Sequence, residues 1–443
     1  MPVNKANQSY IATAEQVTRV RDCASGTDAV KGKGALYLPQ LGGQSHTDYE
    51  AYKSRGYLLP VVNPTATALT GAIMRKSPVA ELPTQLDYLV DDVNGAGKDL
   101  ALLASNTCKE LFTAGRYGLL VDPTSDSIVI REYSRESIIN WTNDFIILEQ
   151  SYTVTDDKDK FKEVEKLEYL ELTFDENGLY IQNLWREGNG KAYGIVETVE
   201  PTVNGTRLDY LPFEFINTLD ATARLTPPAL LHLADVNLDQ YRLSTDLRHG
   251  LHWTALPTLF LFGDLTDDKG QRVKINVGAG SSNHISDNEA RAELLEFTGA
   301  GLGAIDTAIA ADIEAMASIG ARMLQAQSGG VKAAETARIE QSGESATLST
   351  IAQAVENGIT NALKTVAQWS GVSDELSYTF NKDFIDSSLT PQQLTAYLQA
   401  LQTEAISLDT FLNLLHKGEL LPKGITPELE ADRIESGRDF TGE

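Results

Sequence analysis

The sequence predicts an α+β fold divided into several domains, on three observations. Apolar residues recur at helical spacing through two long segments, Ala229–His252 and Leu302–Gln325. Between Gly115 and about residue 220 the period changes from helical to two, with turn residues separating the runs. At 443 residues the chain also exceeds the size at which a single core stops growing.

The first helical pattern is weak: Ile11, Ala14, Val17 and Val20 in the polar start Met1–Arg21. Gly26–Gln44 holds five glycines and one proline and reads as a loop or arm. Short helices are expected at Asp48–Arg55, Thr65–Met74 and Gln85–Asn94. Leu100–Ala114 is a stronger helix, capped by Gly115.

Strands follow at Tyr117–Asp122 and Ser127–Tyr133, then a short helix at Ser134–Trp141. Further strands are Asp144–Val154, Lys166–Phe174, Leu179–Arg186, Tyr193–Val199 and Arg207–Ile216, with the charged Asp156–Glu165 exposed between the first two. Asp175-Glu176-Asn177-Gly178 is a hairpin turn, because Asn-Gly tolerates positive φ.

The stretch Pro227–Trp369 organises the rest. Thr226 reads as a cap and Pro227 as the first turn of the helix Ala229–His252. That helix carries two apolar stripes, Leu230/Ala234/Leu238/Tyr241 and Val236/Leu243/Leu247/Leu251, so it is expected to be packed on more than one side. An insertion, Trp253–Gly301, has no helical period. It offers strand-like Thr258–Phe262 and Val273–Val277 and a short apolar run at Leu294–Phe297. The second helix places Ile305, Ile309, Ile313 and Met316 on one face. A glycine-bearing loop, Gln327–Ala334, separates it from a third helix, Glu335–Trp369, with a kink expected near Gly343. Leu376–Phe384 reads as a strand, Pro391–Leu401 and Leu408–His416 as helices, and Pro422–Glu443 as a frayed acidic tail.

Composition excludes some functions. The net charge of −25 opposes non-specific grip on nucleic acid or anionic membrane, but it does not exclude a protein that surrounds nucleic acid without gripping it. Cys23 and Cys108 have no metal or redox spacing and fit a reducing compartment. The start lacks an apolar signal region, and no run is long enough to span a bilayer, so a soluble protein made inside the cell is expected.

Chemistry-bearing motifs are few. Gly299–Ala304 imitates a dinucleotide loop but lacks its third glycine and the following βαβ unit. Asp264–Gly270 imitates a calcium loop, but its glycine falls one position late and Ile275 stands where the closing glutamate belongs. Asp246, His249 and His252 share a helix face and could hold a divalent metal, though no fourth ligand is identifiable. No P-loop or nucleophile elbow is present, and neither enzyme activity nor a cofactor is expected.

Several runs resemble the portal proteins of tailed bacteriophages: Tyr49–Arg55, Gly71–Pro78, Gly115–Asp122, Ser137–Trp141, Pro227–Gly263, Met316–Leu324 and Glu335-Thr336-Ala337. The resemblance lies in their combined order and implies a division of the chain. Residues 1–225 form an N-terminal arm and α+β wing, 226–252 a first stem helix, 253–300 a clip and 301–326 a second stem helix. Residues 327–334 form a tunnel loop, 335–385 a long wing helix and strand, and 386–443 a helical crown with an acidic tail.

It further implies a homo-oligomeric ring, usually of twelve subunits, at the capsid vertex of a virion assembled in the host bacterial cytoplasm. Double-stranded DNA passes through it. The partners implied are the large terminase subunit, neck or adaptor proteins, and the major capsid and scaffolding proteins, with no membrane. Gln327, Ser328, Gly329, Gly330 and Lys332 belong to the tunnel loop, where Lys332 faces the channel. Asp264, Asp267, Asp268, Lys269 and Arg272 in the clip serve motor or neck docking. Leu238, Tyr241, Leu247, Ile305, Ile309, Ile313 and Met316 pack the stem. Two other classes stay open: another virion structural protein, such as a neck or capsid component, and an α+β enzyme with an insertion domain built around Asp246, His249 and His252.

Overall fold

The computed structural model describes residues 2–124, 127–156, 159–188, 192–255, 258–263, 291–295, 299–324, 334–381, 391–403, 405–417 and 426–439. It is a mixed helix-and-sheet structure, as the change of period predicts. The chain begins with α1 (Gln8–Ser25), α2 (Thr27–Gly32), α3 (His46–Arg55) and α4 (Val62–Ile73). Then come β1 (Val79–Glu81), α5 (Tyr88–Asp91), α6 (Leu100–Ala114), β2 (Arg116–Pro123), β3 (Ile128–Ser134) and β4 (Ile138–Trp141). A meander follows: β5 (Ile146–Asp156), β6 (Asp159–Phe174), β7 (Tyr180–Glu187) and β8 (Tyr193–Val199), then β9 (Phe213–Asn217). The frame is α7 (Leu231–Ala255), β10 (Thr258–Phe262), β11 (Arg291–Leu295), α8 (Leu302–Leu324) and α9 (Ala334–Ser370). The chain ends with β12 (Ser377–Thr379), α10 (Pro391–Gln402), α11 (Leu408–Lys417) and α12 (Pro427–Asp439).

Two compact units share these elements. One comprises Met1–Ala14, Ala66–Ala229 and Ala321–Glu443; the other comprises Glu15–Thr65 and Leu230–Gly320. The sequence division placed all of 1–225 together. Here Glu15–Thr65 groups with Leu230–Gly320, and side chains of α7 bond the backbone of Tyr37, Tyr57 and Leu59 within it.

In the first unit, β3-β2-β9 form an antiparallel sheet and β4-β5-β6-β7-β8 a second one, ordered as in the sequence. Helix α9 lies on the first sheet. Its Ile351, Val355, Ile359, Leu363 and Val366 are fully buried, each contributing about 1.5–3 kcal/mol as an upper bound. Gly358 permits the approach: a Cβ there would stand 2.4 Å from Ile216 of β9. Gly115 ends α6 in the left-handed region at φ 78°, and a Cβ on it would meet the Thr226 carbonyl at 2.5 Å. Arg135 completes that cap by donating from Nη1 to the carbonyls of Ala114 (2.6 Å) and Thr226 (3.0 Å). The N-terminal segment is tied down here too. Val3 packs with Ile139, Ile147 and Tyr169, and the Asn7 N–H donates to the Ile139 carbonyl.

Several expectations change. Ser134–Trp141 is not a helix. The Ser134 and Ser137 hydroxyls, 3.2 Å apart, close a turn, and Ile138 then pairs with Leu148 as a strand. Thr226 is not a helix cap either: α7 starts at Leu231, and the Thr226 hydroxyl donates to the Gly115 carbonyl at 2.6 Å. The charged run expected to be an exposed loop extends β5 and β6, with Thr155 opposite Glu163. Only Gly178 of the Asn-Gly turn takes positive φ. The Asp175 carboxylate holds the turn by accepting from the Asn177 and Leu179 N–H groups at 2.8 and 2.9 Å. Gly26–Gln44 contains α2, and the acidic tail contains α12, whose first turn is capped by the Thr426 hydroxyl.

Candidate functional site

The second unit is built around α7. Its inner face is Leu231, Ala234, Leu238, Tyr241 and Thr245, all buried, but three polar residues lie among them: Asn237, Gln240 and Ser244. Each reaches the backbone of one extended segment. Asn237 Nδ2 donates to the Leu59 carbonyl at 2.9 Å, the Leu59 N–H donates to Gln240 Oε1 at 3.0 Å, and Ser244 Oγ donates to the Tyr57 carbonyl at 2.7 Å. These rungs satisfy an extended segment that, among the described residues, joins no sheet. Arg242 adds a donor to the Tyr37 carbonyl at 2.8 Å. Gly56 passes so close that a Cβ would stand 2.7 Å from the Tyr241 ring. Sequence reading missed this ladder, because its partner groups come from far upstream in the chain.

The start of helix α8 lies against the last turns of α7. Leu302 Cδ2 lies 2.5 Å from where a Gly250 Cβ would be. Further along α8, burial raises the carboxyl pKa of Asp312, and so does the charge of Asp239, which lies further back along α7. Between them, β10 and β11 pair antiparallel from Thr258/Leu295 to Phe262/Arg291 and, among the described residues, with no other strand. Phe260 and Phe262 stack on one exposed face of this hairpin, 6.4 Å between centroids. At its base an apolar hollow of about 590 Å³ is lined by Gly250, Trp253, Gly301, Leu302 and Ile305, among others.

Leu238, Tyr241 and Met316 are buried, Leu247, Ile305 and Ile309 are half-buried, and Ile313 is 44% exposed. The tunnel-loop residues Gln327, Ser328, Gly329, Gly330 and Lys332 lie outside the described residues. So do the clip residues Asp264, Asp267, Asp268, Lys269 and Arg272, and the strand expected at Val273–Val277.

The histidine cluster is structural in its bonding. The Trp253 indole N–H donates to His249 Nε2 at 3.0 Å, Arg55 Nη1 faces His249 Nδ1 at 3.5 Å, and Tyr52 donates to Asp246 Oδ1 at 2.5 Å. Both ring nitrogens of His249 therefore already face protein groups. Among the described residues, no three His, Cys, Asp or Glu side chains come together to hold a metal ion, and no helix is long and apolar enough to cross a membrane.

A family model described as a domain of unknown function (DUF4055) matches residues 229–370, from the start of α7 to the end of α9. No curated protein matches. Among solved structures, a chain from "Virion of native gene transfer agent (GTA) particle" is similar at 12% identity and TM-score 0.40, covering 88% of this chain and 98% of that one. A chain from "Neck of empty GTA particle computed with C6 symmetry" gives 13% identity, TM-score 0.40 and the same coverage. One from "Neck of native GTA particle computed with C12 symmetry" gives 12%, 0.38, and 81% and 89%. At these TM-scores the likenesses carry no argument about what this chain does.

Proposed function

We propose that the chain is a non-enzymatic structural component of a tailed-phage-like particle, and within that class a portal protein. Copies form a ring whose channel passes double-stranded DNA. The observation that carries this reading is the order of α7 and α8, the end of one against the start of the other, joined by an insertion whose described strands pair only with each other. Such a hairpin belongs to neither sheet of the first unit and is free to serve as a docking element. The outer apolar positions add support. Leu251 and Ile313 are 48% and 44% exposed on the single chain, which suits helices that meet a second copy. The net charge of −25 suits a wall along which a duplex slides.

In this proposal the partners are the packaging motor, neck proteins, and capsid and scaffolding proteins at the virion vertex, and the tunnel loop presents Lys332 to the DNA. Lys332→Glu then impairs packaging more than ring assembly. A neck component is the second reading, the one two of the similar structures' titles name. The deciding experiment is electron microscopy of the purified protein and of particles carrying it. End-on rings with an open channel at the capsid vertex, on which the motor docks, support the portal. Rings only between vertex and tail support a neck component. A protein that stays monomeric with scaffold present removes both.

A further inference from the structure

The five-stranded sheet leaves an open edge on each side. On one side β4 lies beside β5 only over Ile146–Leu148. The outer side of β4 is covered by the N-terminal segment: the Asn7 N–H donates to the Ile139 carbonyl at 2.8 Å, and Asn140 Nδ2 donates to the Lys5 carbonyl at 2.9 Å. Past β4, β5 runs on through Ser151–Thr155 and, among the described residues, pairs there with β6 alone. The Glu149 N–H donates across to the Ser137 carbonyl, on the β4 side. The register is regular from Ile146 to Thr155, so alternation turns the main-chain groups of Ser151 and Thr153 to that same side, where no described strand meets them. On the far side of the sheet, β8 pairs among the described residues with β7 alone.

Neither stretch is defended as edges facing water normally are, by lysine, proline or clustered charge. Ser151–Thr155 reads Ser-Tyr-Thr-Val-Thr, with no charge and no proline. β8 has one carboxylate, Glu197, and one bulge opposite Leu184 and Trp185, and its Ile195, Val196 and Val199 are 42–55% exposed. The strand that accompanies Ser151–Thr155 is different: β6 carries Glu163, Glu165 and Lys166 in succession around one valine. Charge guards that edge, and the two neutral, β-branched edges are left as the ones suited to pairing.

We propose that β8 of one copy pairs with Ser151–Thr155 of the next, so that the sheet continues from subunit to subunit. Successive strands of the sheet are antiparallel, so β8 runs opposite to β5. A neighbour related by rotation about a ring axis keeps that relation, and the contact is an antiparallel ladder, the more stable kind. The two edges lie on opposite sides of one sheet, as a heterologous, ring-closing contact requires. Charge disfavours the alternatives. β8 against β8 about a two-fold axis sets Glu197 beside its own copy, and β8 against the β6 edge sets it beside Glu163 and Glu165, whereas Ser151–Thr155 is neutral. Traced through Gln182 and Leu172, Val199 is level with Ile146. Neighbours are therefore offset along the strands by about five residues, roughly 17 Å, which inclines the strands as in closed barrels. The contact rests on the annular reading above and adds a surface to it.

The first test is cross-linking of the assembled full-length chain with a flexible bis-maleimide whose reach spans several register positions. One variant combines Thr153→Cys with Val196→Cys; both positions are exposed, and the native Cys23 and Cys108 are buried. On a denaturing gel it gives a covalent ladder, with about ten-fold more product than either single variant, because in a heterologous contact each position meets the other and never itself. Dimers from Val196→Cys alone show two-fold pairing and overturn the proposal. Rings of the double variant that give no ladder also overturn it and leave the annular reading standing. The second test is Thr153→Pro, which removes an outward N–H where an edge strand tolerates proline. It keeps the parent's melting temperature, and by mass photometry it forms about ten-fold less ring than Thr153→Ala, which keeps the donor. Folded Thr153→Pro that forms rings as readily as Thr153→Ala overturns the contact. A parent that never assembles takes down the annular reading and this contact together.

Discussion

Arg116 carries a buried charge. It is fully buried, and among the described residues Nε, Nη1 and Nη2 have no hydrogen-bond partner. Its guanidinium carbon lies 3.9 Å from the Trp141 ring centroid and 4.3 Å from that of Phe215, so stacking is its compensation. Burial, and then the nearby Arg135 charge, bring its pKa down to about 9. Arg116→Met keeps the stacked volume and removes the desolvation penalty, so it should raise stability by about 1–3 kcal/mol, while Arg116→Ala should lower it. Denaturant melts of both variants check this, and a destabilised Met variant would mean the guanidinium has a partner. Gly115 gives a second, opposite case. Gly115→Ala adds a Cβ at positive φ against the Thr226 and Pro227 carbonyls and should lower stability by about 2 kcal/mol or more, read as a drop in melting temperature.

Near the end of helix α7 the Trp253 indole N–H donates to His249 Nε2. Burial foremost, then Arg55 and His252, depress the His249 pKa, while Asp246 and Asp48 oppose them; Tyr52 packs edge-on against the ring at 5.1 Å. A depressed imidazole contributes stability that is present above its ordinary value of 6.5 and is lost as pH falls through the lower folded value. Protonation places a hydrogen on Nε2 and ends its acceptance from Trp253. The Trp253 emission, isolated as the difference from Trp253→Phe, should therefore shift between pH 7 and pH 5, and His249→Gln should abolish the shift. An unchanged difference spectrum would show that the indole is held otherwise. How legible an element was depends on where its partners lie. α6 with its Gly115 cap, and β10 at Thr258–Phe262, read directly because period and punctuation are local. β4 was misread because Ser134 and Ser137 mimic a cap, and only pairing with Leu148 reveals a strand. α12 was missed although Thr426-Pro427 repeats the start signal at Thr390-Pro391; the acidic composition outweighed it.

The helix–insertion–helix order was legible in the sequence, since it needs only periodicity and its interruption, but the strand Arg291–Leu295 that pairs with β10 was not. The grouping of Glu15–Thr65 with α7 was not, because it depends on backbone carbonyls meeting side chains across a long separation. Nor could the sequence say which apolar positions of α8 stay uncovered. Ile313 stands 44% exposed on the lone chain, so Ile313→Asp should leave the monomer's melting within about 0.5 kcal/mol and still abolish ring formation, as seen by mass photometry. Intact rings from that variant would place the contact on another face. The ladder from Asn237, Gln240 and Ser244 to Tyr57 and Leu59 has a practical corollary. It is written in main-chain atoms, so many substitutions upstream of residue 60 leave it whole, whereas shortening the polypeptide past that point strands three dry polar groups on the longest face of α7. Anyone trimming this protein to its helical frame should expect precipitate, and co-expression of the missing leader as a separate peptide should recover soluble material.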